Sequence, residues 1–203
     1  VTTQDGMAYL KVADGCDNHC TYCTIPSIRG PFRSRTMESI LEEAKDLISQ
    51  GYGELVLIAQ DTTRYGEDLY GKPMLPELMR KLCQLEGLVW LRALYFYPDR
   101  ITDELLDVMA EEEKIVKYID LPLQHASAKV LKAMNRRGSA EEYLALIDKI
   151  RNRIPGVVLR TTFIVGFPTE DKASFEELAE FVRQAKFDRM GCFVYSREEG
   201  TPA

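Results

Sequence analysis

The sequence predicts an α/β protein in which six parallel strands alternate with helices, and three observations carry that reading. Short apolar runs recur along the chain, each followed by a stretch whose apolar residues repeat at helical spacing. The run at 54–59 (ELVLIA) is apolar almost throughout, as expected of a strand covered on both faces of a parallel sheet. No G-x-G-x-x-G opens the first helix, which argues against a dinucleotide-binding sheet. Parallel βαβ units with right-handed crossovers fit this alternation, in either an open doubly wound sheet or a barrel-like one.

The first strand is expected at 9–13 and runs straight into a cysteine loop. Thr36 then reads as an N-cap with Glu38 in the first turn, and Ile40, Leu41, Ala44, Leu47 and Ile48 form one apolar stripe. Gly51 stops that helix ahead of the second strand at 54–59. A polar loop over 60–76 leads to a helix near 77–85, and residues 89–96 read as a third strand. A helix at 101–110, started by Thr102 or Asp103, precedes a fourth strand at 115–121 that Pro122 ends. Two helical segments follow over 127–154, divided near Gly138-Ser139. Residues 157–165 form the fifth strand, a helix capped near Asp171 carries the stripe Phe175, Leu178, Ala179, Val182 and Ala185, and 190–195 form the sixth strand. No solenoid-length repeat and no low-complexity segment interrupts the series.

Cys16, Cys20 and Cys23 stand at C-x3-C-x2-C spacing in the octet CDNHCTYC. Three thiolates can hold three irons of a cubane cluster and leave the fourth iron open, whereas an electron-transfer cluster normally takes four cysteines. The alternative is zinc held by these cysteines and His19. His19 lies directly beside Cys20, however, and the usual paired Cys or His spacings are absent. A disulfide framework fails on the odd count of five cysteines. Cys83 on a helix stripe and Cys192 within a strand are expected to be buried core residues.

The 203 residues suffice for one substantial core, and 45% hydrophobic with 29% charged residues is ordinary for a globular protein. No apolar run approaches a membrane span and no signal peptide is visible, so the expected compartment is cytoplasmic, without membrane association. The chain does not begin with Met, as expected of a piece of a longer protein. A net charge of −6 argues against a domain whose task is to grip RNA. Arg29, Arg33 and Arg35 follow the cysteine loop and either pair with carboxylates or line the mouth of the site, and Arg136-Arg137 form a second basic pair.

The octet, with Tyr22 just before its last cysteine, resembles the signature of the radical S-adenosylmethionine (SAM) enzymes. The resemblance implies one 4Fe-4S cluster on Cys16, Cys20 and Cys23, with SAM bound to the open iron through its amino and carboxylate groups. It also implies a partial (βα)6 TIM-like barrel with a mostly parallel six-stranded sheet, and in such barrels chemistry sits at the C-terminal strand ends. At the second strand's end, Gln60 and Asp61 occupy the place of the family's short ammonium-binding motif, often Gly-Gly-Glu, matching it by position and polarity rather than by letter. For Asp61 an Asx-turn that shapes the loop is the competing reading. At the fourth strand's end Gln124 is the candidate for the SAM ribose, while His125 reads as a proton carrier or, more often for a lone loop histidine, as structural. Arg160, a charge inside the apolar fifth strand, suits the SAM carboxylate. Gly166 would admit close approach to the adenine. No catalytic residue is expected beyond the cluster and SAM.

A narrower resemblance covers nearly the whole chain. The stretch 15–35 (GCDNHCTYCTIPSIRGPFRSR), with 57–66 (LIAQDTTRYG), 121–125 (LPLQH), 134–138 (MNRRG) and 195–202 (YSREEGTP), resembles the methylthiotransferase family. Within it, 59–66 and 195–200 look like the branch that adds a methylthio group to the β-carbon of an aspartate in the twelfth small-subunit ribosomal protein. The sister branch, which modifies an adenosine near the tRNA anticodon, tends to read Gly-Gln-Asn where this chain reads Ala59-Gln60-Asp61. The resemblance implies a ribosomal protein substrate, no RNA contact by this domain, and an electron donor such as flavodoxin or ferredoxin. It further implies that residues 1–203 are the radical SAM core alone. The family's N-terminal methylthiotransferase domain, which carries a second 4Fe-4S cluster, and its C-terminal TRAM domain are not found in these residues. One departure is Thr169, where the family commonly has glycine in Gly-Phe-Pro-Gly-Glu. A non-catalytic scaffold carrying a metal or cluster is the reading from another class, and it would not require polar residues at the strand ends.

Overall fold

The computed structural model describes residues 6–203. In chain order the elements are β1 (Met7–Lys11), β2 (Ala13–Asp14), α1 (Ile25–Arg29), β3 (Arg33–Ser34), α2 (Met37–Ser49), β4 (Glu54–Ile58), α3 (Glu67–Tyr70), α4 (Leu75–Cys83) and β5 (Trp90–Ala93). They continue with α5 (Asp103–Glu111), β6 (Tyr118–Asp120), α6 (Ala128–Ala133), α7 (Ala140–Arg153), β7 (Val158–Val165), α8 (Lys172–Ala185) and β8 (Arg189–Val194).

β1 pairs with β4 in parallel from Met7↔Glu54 to Lys11↔Ile58, and β4 pairs with β5. On the other side β6 pairs with β7 and β7 with β8, again in parallel. The two groups meet where Leu91 bridges Ile115 and where Phe96 N–H donates to the Asp120 carbonyl at 2.9 Å. These six strands therefore follow one another in chain order, with none of the reversal that defines a doubly wound sheet. This decides between the two architectures left open by the hydrophobic pattern. Among the described residues β1 and β8 do not pair, so the barrel is partial.

Helix starts lie where polar caps predict them. Thr36 accepts Ser39 N–H at 3.3 Å, Thr102 accepts Leu105 N–H at 3.2 Å, and Asp171 accepts Ser174 N–H at 2.9 Å. The outer face of the strands and the inner stripes of the helices make one core, with Leu10, Ile40, Leu57, Leu78, Leu106 and Leu159 all buried within it. A separate small cluster holds Val130, Met134 and Phe167, with Tyr22 and Tyr195 packed against it.

Burial along β7 alternates: Leu159, Thr161 and Phe163 are buried, while the half-buried Arg160 and Thr162 line the cavity inside the barrel and Ile164 packs on a small apolar cluster. Period-two alternation is the strand's natural geometry, and here the inner face is polar rather than apolar. Arg92 pairs with Glu54 at 2.9 Å and lies over the Tyr118 ring at 5.0 Å, and Arg160 pairs with Asp120 at 2.6 Å. These pairs account for the charges inside otherwise apolar strands.

The structure shortens two expected strands. Tyr95, at φ +62°, turns the chain out of β5, and Ile115 reaches only an isolated bridge before β6. The short pieces α1, α3 and the antiparallel β2–β3 pair were not expected, being too brief to show periodicity. Cys83 is buried as expected, with burial pushing its thiol up to about 11, whereas Cys192 is exposed on β8. That correction has a simple cause: β8 packs chiefly against β7, and among the described residues both of its faces are left largely uncovered.

Candidate cofactor site at the strand ends

The cysteine loop begins at Gly15, whose φ is +77°. A Cβ there would stand 2.1 Å from the Pro31 carbonyl oxygen, so only glycine lets the returning chain lie against the loop. Cys16 N–H donates to the Gly30 carbonyl at 3.2 Å, and Cys23 N–H donates to the Cys20 carbonyl at 3.0 Å. The other side of the loop is strapped to the segment after α6. Thr21 N–H donates to the Met134 carbonyl at 3.1 Å, its hydroxyl donates to the Ala133 carbonyl at 2.9 Å, and Asn135 Nδ2 donates to the His19 carbonyl at 3.0 Å.

Cys16, Cys20 and Cys23 are all free and half-buried, and they line one cavity of about 520 Å³ at the C-terminal strand ends. Burial raises the Cys16 and Cys23 thiols above the ordinary value, opposed by the N–H groups of Asn18 and Ile25, and each also feels a neighbouring cysteine of the triad. Metal loading therefore displaces protons from these thiols. Among the described residues no three Cys, His, Asp or Glu side chains converge on a point where they would share a single metal ion. A mononuclear zinc site has no preformed cage here, while a cubane asks each thiolate for an iron of its own. The exposed His19 turns its carbonyl, not its ring, into the hydrogen-bonding of the loop. The donor set fits a cluster held by three cysteines.

Of the residues singled out from the sequence, Tyr22, Gln60, Gln124 and Arg160 line the same cavity as the cysteines. Gly166 stands apart from that lining, exposed, at φ +74°; a Cβ there would meet only Val194 Cγ1 at 4.0 Å. Its N–H donates to Glu170 Oε2 at 2.6 Å, as does Phe167 N–H at 3.2 Å, so Glu170 shapes this turn despite Thr169. Asp61 is placed differently from an ammonium acceptor facing the cavity. It is 1% exposed and accepts from Asn18 Nδ2 at 3.2 Å and from the Thr63 hydroxyl, with Arg100 Nε at 3.6 Å. Its carboxylate is occupied inside the protein.

His125 is fully buried, with Nδ1 accepting Ser127 N–H at 3.0 Å and Nε2 3.9 Å from Glu170. It is structural rather than a cavity residue. Arg29 lines an adjoining cavity of about 380 Å³ that shares Gln60 and Tyr95. Arg35 instead braces the loop against Glu43, Ser39 and the Lys11 carbonyl.

The structure adds residues to the cavity that the strand-end argument missed: Tyr95, Tyr97, Asp120, Arg136 and Phe193. Asp120 had a visible signal, an acid ending an apolar strand. Arg136 had none beyond its place in a basic pair. Tyr95 and Gln124 hold positive φ of +62° and +71° without being glycine, a conformation that costs roughly 1–2 kcal/mol per residue. Gln124 is held there by its N–H to the Thr162 carbonyl and its carbonyl to Ile164 N–H, both at 2.8 Å. Strain of this kind collects where side chains must be aimed.

Residues 10–182 match the model of the Radical SAM superfamily. A curated relative, the ribosomal protein uS12 methylthiotransferase RimO of Pelotomaculum thermopropionicum, is 61% identical over 203 residues, covering 100% of this chain and 46% of that protein. The protein of the same name from Alkaliphilus oremlandii is 55% identical with the same coverage. The chain thus spans about half the length of the curated relatives it matches. Among solved structures, the radical SAM methyltransferase TsrM of Kitasatospora setae superposes with TM-score 0.77 at 16% identity, covering 98% of this chain and 38% of that one. Coproporphyrinogen III oxidase (HemN) of Escherichia coli superposes with TM-score 0.65 at 18% identity, covering 95% and 45%. These two likenesses establish the fold, an α/β partial barrel. With the family model matched over most of its length, the chain belongs to the radical SAM superfamily.

Proposed function

We propose that residues 1–203 are the radical SAM core of a methylthiotransferase that modifies an aspartate of ribosomal protein uS12 at its β-carbon. The observation that carries this is the 61% identity, without loss of coverage of this chain, to a protein named for that activity. In this reading Cys16, Cys20 and Cys23 hold a 4Fe-4S cluster, and the N-terminal methylthiotransferase domain with its second cluster and the TRAM domain belong to the rest of the protein. When bound, the cluster and SAM supply reductive cleavage of the sulfonium and a carbon radical able to take hydrogen from an unactivated C–H bond.

The chain's own residues bind and orient. The Gln60 side-chain carbonyl offers an acceptor for the SAM ammonium, and Gln124, fixed by its backbone, offers an amide to the ribose hydroxyls. Arg160 presents a guanidinium whose Nη1 is already held by Asp120, which orients its remaining N–H groups for a carboxylate. Gly166 lies outside the cavity lining, with open space that an adenine reaching past the end of β7 could use, and Tyr22 lines the cavity beside the last cysteine. Tyr95, Tyr97 and Phe193 line the cavity and limit the water that reaches a reactive carbon. No helix among the described residues is long and apolar enough to cross a membrane. The reading places the protein in the cytoplasm, with a low-potential donor such as flavodoxin or ferredoxin.

The test is anaerobic iron–sulfur reconstitution of the full-length protein, EPR of the reduced state with and without SAM, and mass spectrometry of uS12 and of a tRNA anticodon stem-loop after turnover. The expected result is a four-iron signal reshaped by SAM and a methylthio group on the uS12 aspartate. Methylthiolation of the RNA instead would move the chain to the sister branch, and a signal indifferent to SAM would leave a cluster-bearing scaffold.

A further inference from the structure

Arg136 is 8% exposed, yet none of its contacts is a carboxylate. Nη2 donates to the Pro122 carbonyl at 3.0 Å, the guanidinium lies over the Tyr97 ring at 4.4 Å, and Nε has no partner. Nη1 faces the Cys20 sulfur at 3.9 Å, the Tyr143 side chain hydrogen-bonds to the guanidinium, and the Asp99 carboxyl feels its charge without a hydrogen bond to it. A guanidinium does not deprotonate in a protein, so this is a permanent positive charge held out of water. A buried charge with no carboxylate hydrogen-bonded to it is only partly compensated, and an anionic thiolate beside it would add to that compensation.

The position is built. Asn135, at φ +55°, turns the chain after α6, and the hydrogen bonds that strap residues 133–135 to His19 and Thr21 bring the next side chain against Cys20. Each cysteine sulfur faces a donor. Cys16 meets Asn18 N–H at 3.5 Å, Cys23 meets Ile25 N–H, and Cys20 alone meets a charged one.

We infer that Arg136 is a fixed charge that raises the reduction potential of the cluster held by Cys16, Cys20 and Cys23. This rests on the cluster proposed above. Cluster potentials follow net charge and hydrogen bonds to the sulfurs. Reduction adds one electron to an already anionic group, so a cation beside a ligating sulfur favours the reduced state. The placement makes the cluster easier to reduce before SAM arrives, independently of any contact between Arg136 and SAM.

The test is potentiometric EPR of the reconstituted full-length protein without SAM, comparing wild type with Arg136→Met and Arg136→Lys. Arg136→Met should shift the cluster's reduction equilibrium at least tenfold toward the oxidised form, 59 mV lower for one electron, while Arg136→Lys stays within a threefold change. An unshifted potential in Arg136→Met, with only SAM affinity weakened, would overturn the inference and make Arg136 a SAM ligand alone. Should Arg136→Met fail to hold iron, Arg136→Gln against Arg136→Lys gives the same charge contrast. If only the lysine variant retains the cluster, the charge serves to hold the cluster rather than to set its potential, and the inference fails. Loss of iron in the lysine variant as well would make the role structural and refute it. The signal of this cluster is the one that a Cys16→Ala, Cys20→Ala, Cys23→Ala variant lacks; if that variant loses no four-iron signal, the cluster reading itself sinks, which is told apart because the Arg136 variants then have nothing to shift.

Discussion

Asn18 Nδ2 donates to Asp61 Oδ2 at 3.2 Å, a contact that joins the middle of the cysteine loop to the end of β4. Beside it Arg64 pairs with Asp17 at 2.8 Å and with Glu67 at 2.6 Å, and Arg100 reaches both Glu67 and Asp61. Asp17 in turn accepts Phe32 N–H at 3.1 Å. The loop that carries the thiols is therefore pinned from below by a polar network and from the side by the strap to residues 133–135.

Asp61→Ala should loosen that loop. Removing a buried acceptor leaves the Asn18 amide and the Thr63 hydroxyl unpaired, at a cost of about 1–3 kcal/mol. The expected outcome is a lower Tm and less iron per protein after reconstitution, measured by calorimetry and iron assay. Full iron retention at unchanged Tm would show that the network is dispensable.

Asp120 and Arg160 form an asymmetric pair, with side chains 2% and 37% exposed. Losing the arginine strands a buried carboxylate, whereas losing the carboxylate leaves a guanidinium that can reach water. Arg160→Leu should accordingly destabilise by about 3–5 kcal/mol and Asp120→Asn by clearly less. Urea unfolding of the two variants gives the ranking, and equal losses would contradict the burial argument.

Gly15→Ala forces a Cβ onto the Pro31 carbonyl at a φ of +77°. Displacement of the adjoining Cys16 should follow, with a destabilisation on the order of 2–4 kcal/mol and loss of most bound iron. Gly30→Ala is the control, because its Cβ would meet nothing within 4 Å although its φ is +74°. If the two variants behave alike, backbone strain rather than the clash governs the loop.

Burial lowers the His125 pKa below its ordinary 6.5, against the opposing charges of Glu170 and Glu177. The unfolded chain, with the higher pKa, takes up the proton first as pH falls. This contribution to stability is thus fully present above pH 6.5 and is lost as pH drops through the lower folded value. His125→Asn keeps an acceptor for Ser127 N–H and removes the titration. The difference in unfolding free energy between wild type and variant should rise with pH from about 5 to 7, and a flat difference would contradict it.

Much of this fold was written in local pattern. The caps Thr36, Thr102 and Asp171 and the apolar run of β4 needed no partner to be recognised, since cap hydrogen bonds and periodicity are short-range. The three cysteines were legible because their spacing is itself the chemistry. What the sequence concealed depends on where side chains turn. Gln60 and Asp61 are neighbours of similar polarity, yet one lines the cavity and the other is 1% exposed, because the chain bends after β4 and the Asp61 carboxylate turns in to Asn18 and Thr63. Arg136 lies 113 residues beyond Cys23 (136 − 23), and only the strap between two loops brings it to the thiols. Tyr95 and Gln124 escaped for a related reason, as nothing in a non-glycine residue announces a positive φ.

The small apolar cluster of Val130, Met134 and Phe167 lies outside the main core, and the cysteine loop rests on it through Tyr22, 6.4 Å from Phe167 in an edge-to-face arrangement. Phe167 also meets Tyr195 at 5.2 Å, whose hydroxyl reaches the Ala203 carbonyl, while Ala203 N–H closes back on the Thr21 carbonyl at 3.0 Å. A patch of so few side chains opens at a smaller free energy than the whole domain. Amide exchange at Thr21 and Cys23 should therefore run on a local clock, faster than that of the β4 and β7 amides when followed by hydrogen–deuterium exchange. Slow exchange at Thr21 and Cys23, matching the barrel strands, would show instead that the floor of the thiol loop opens only with the whole domain.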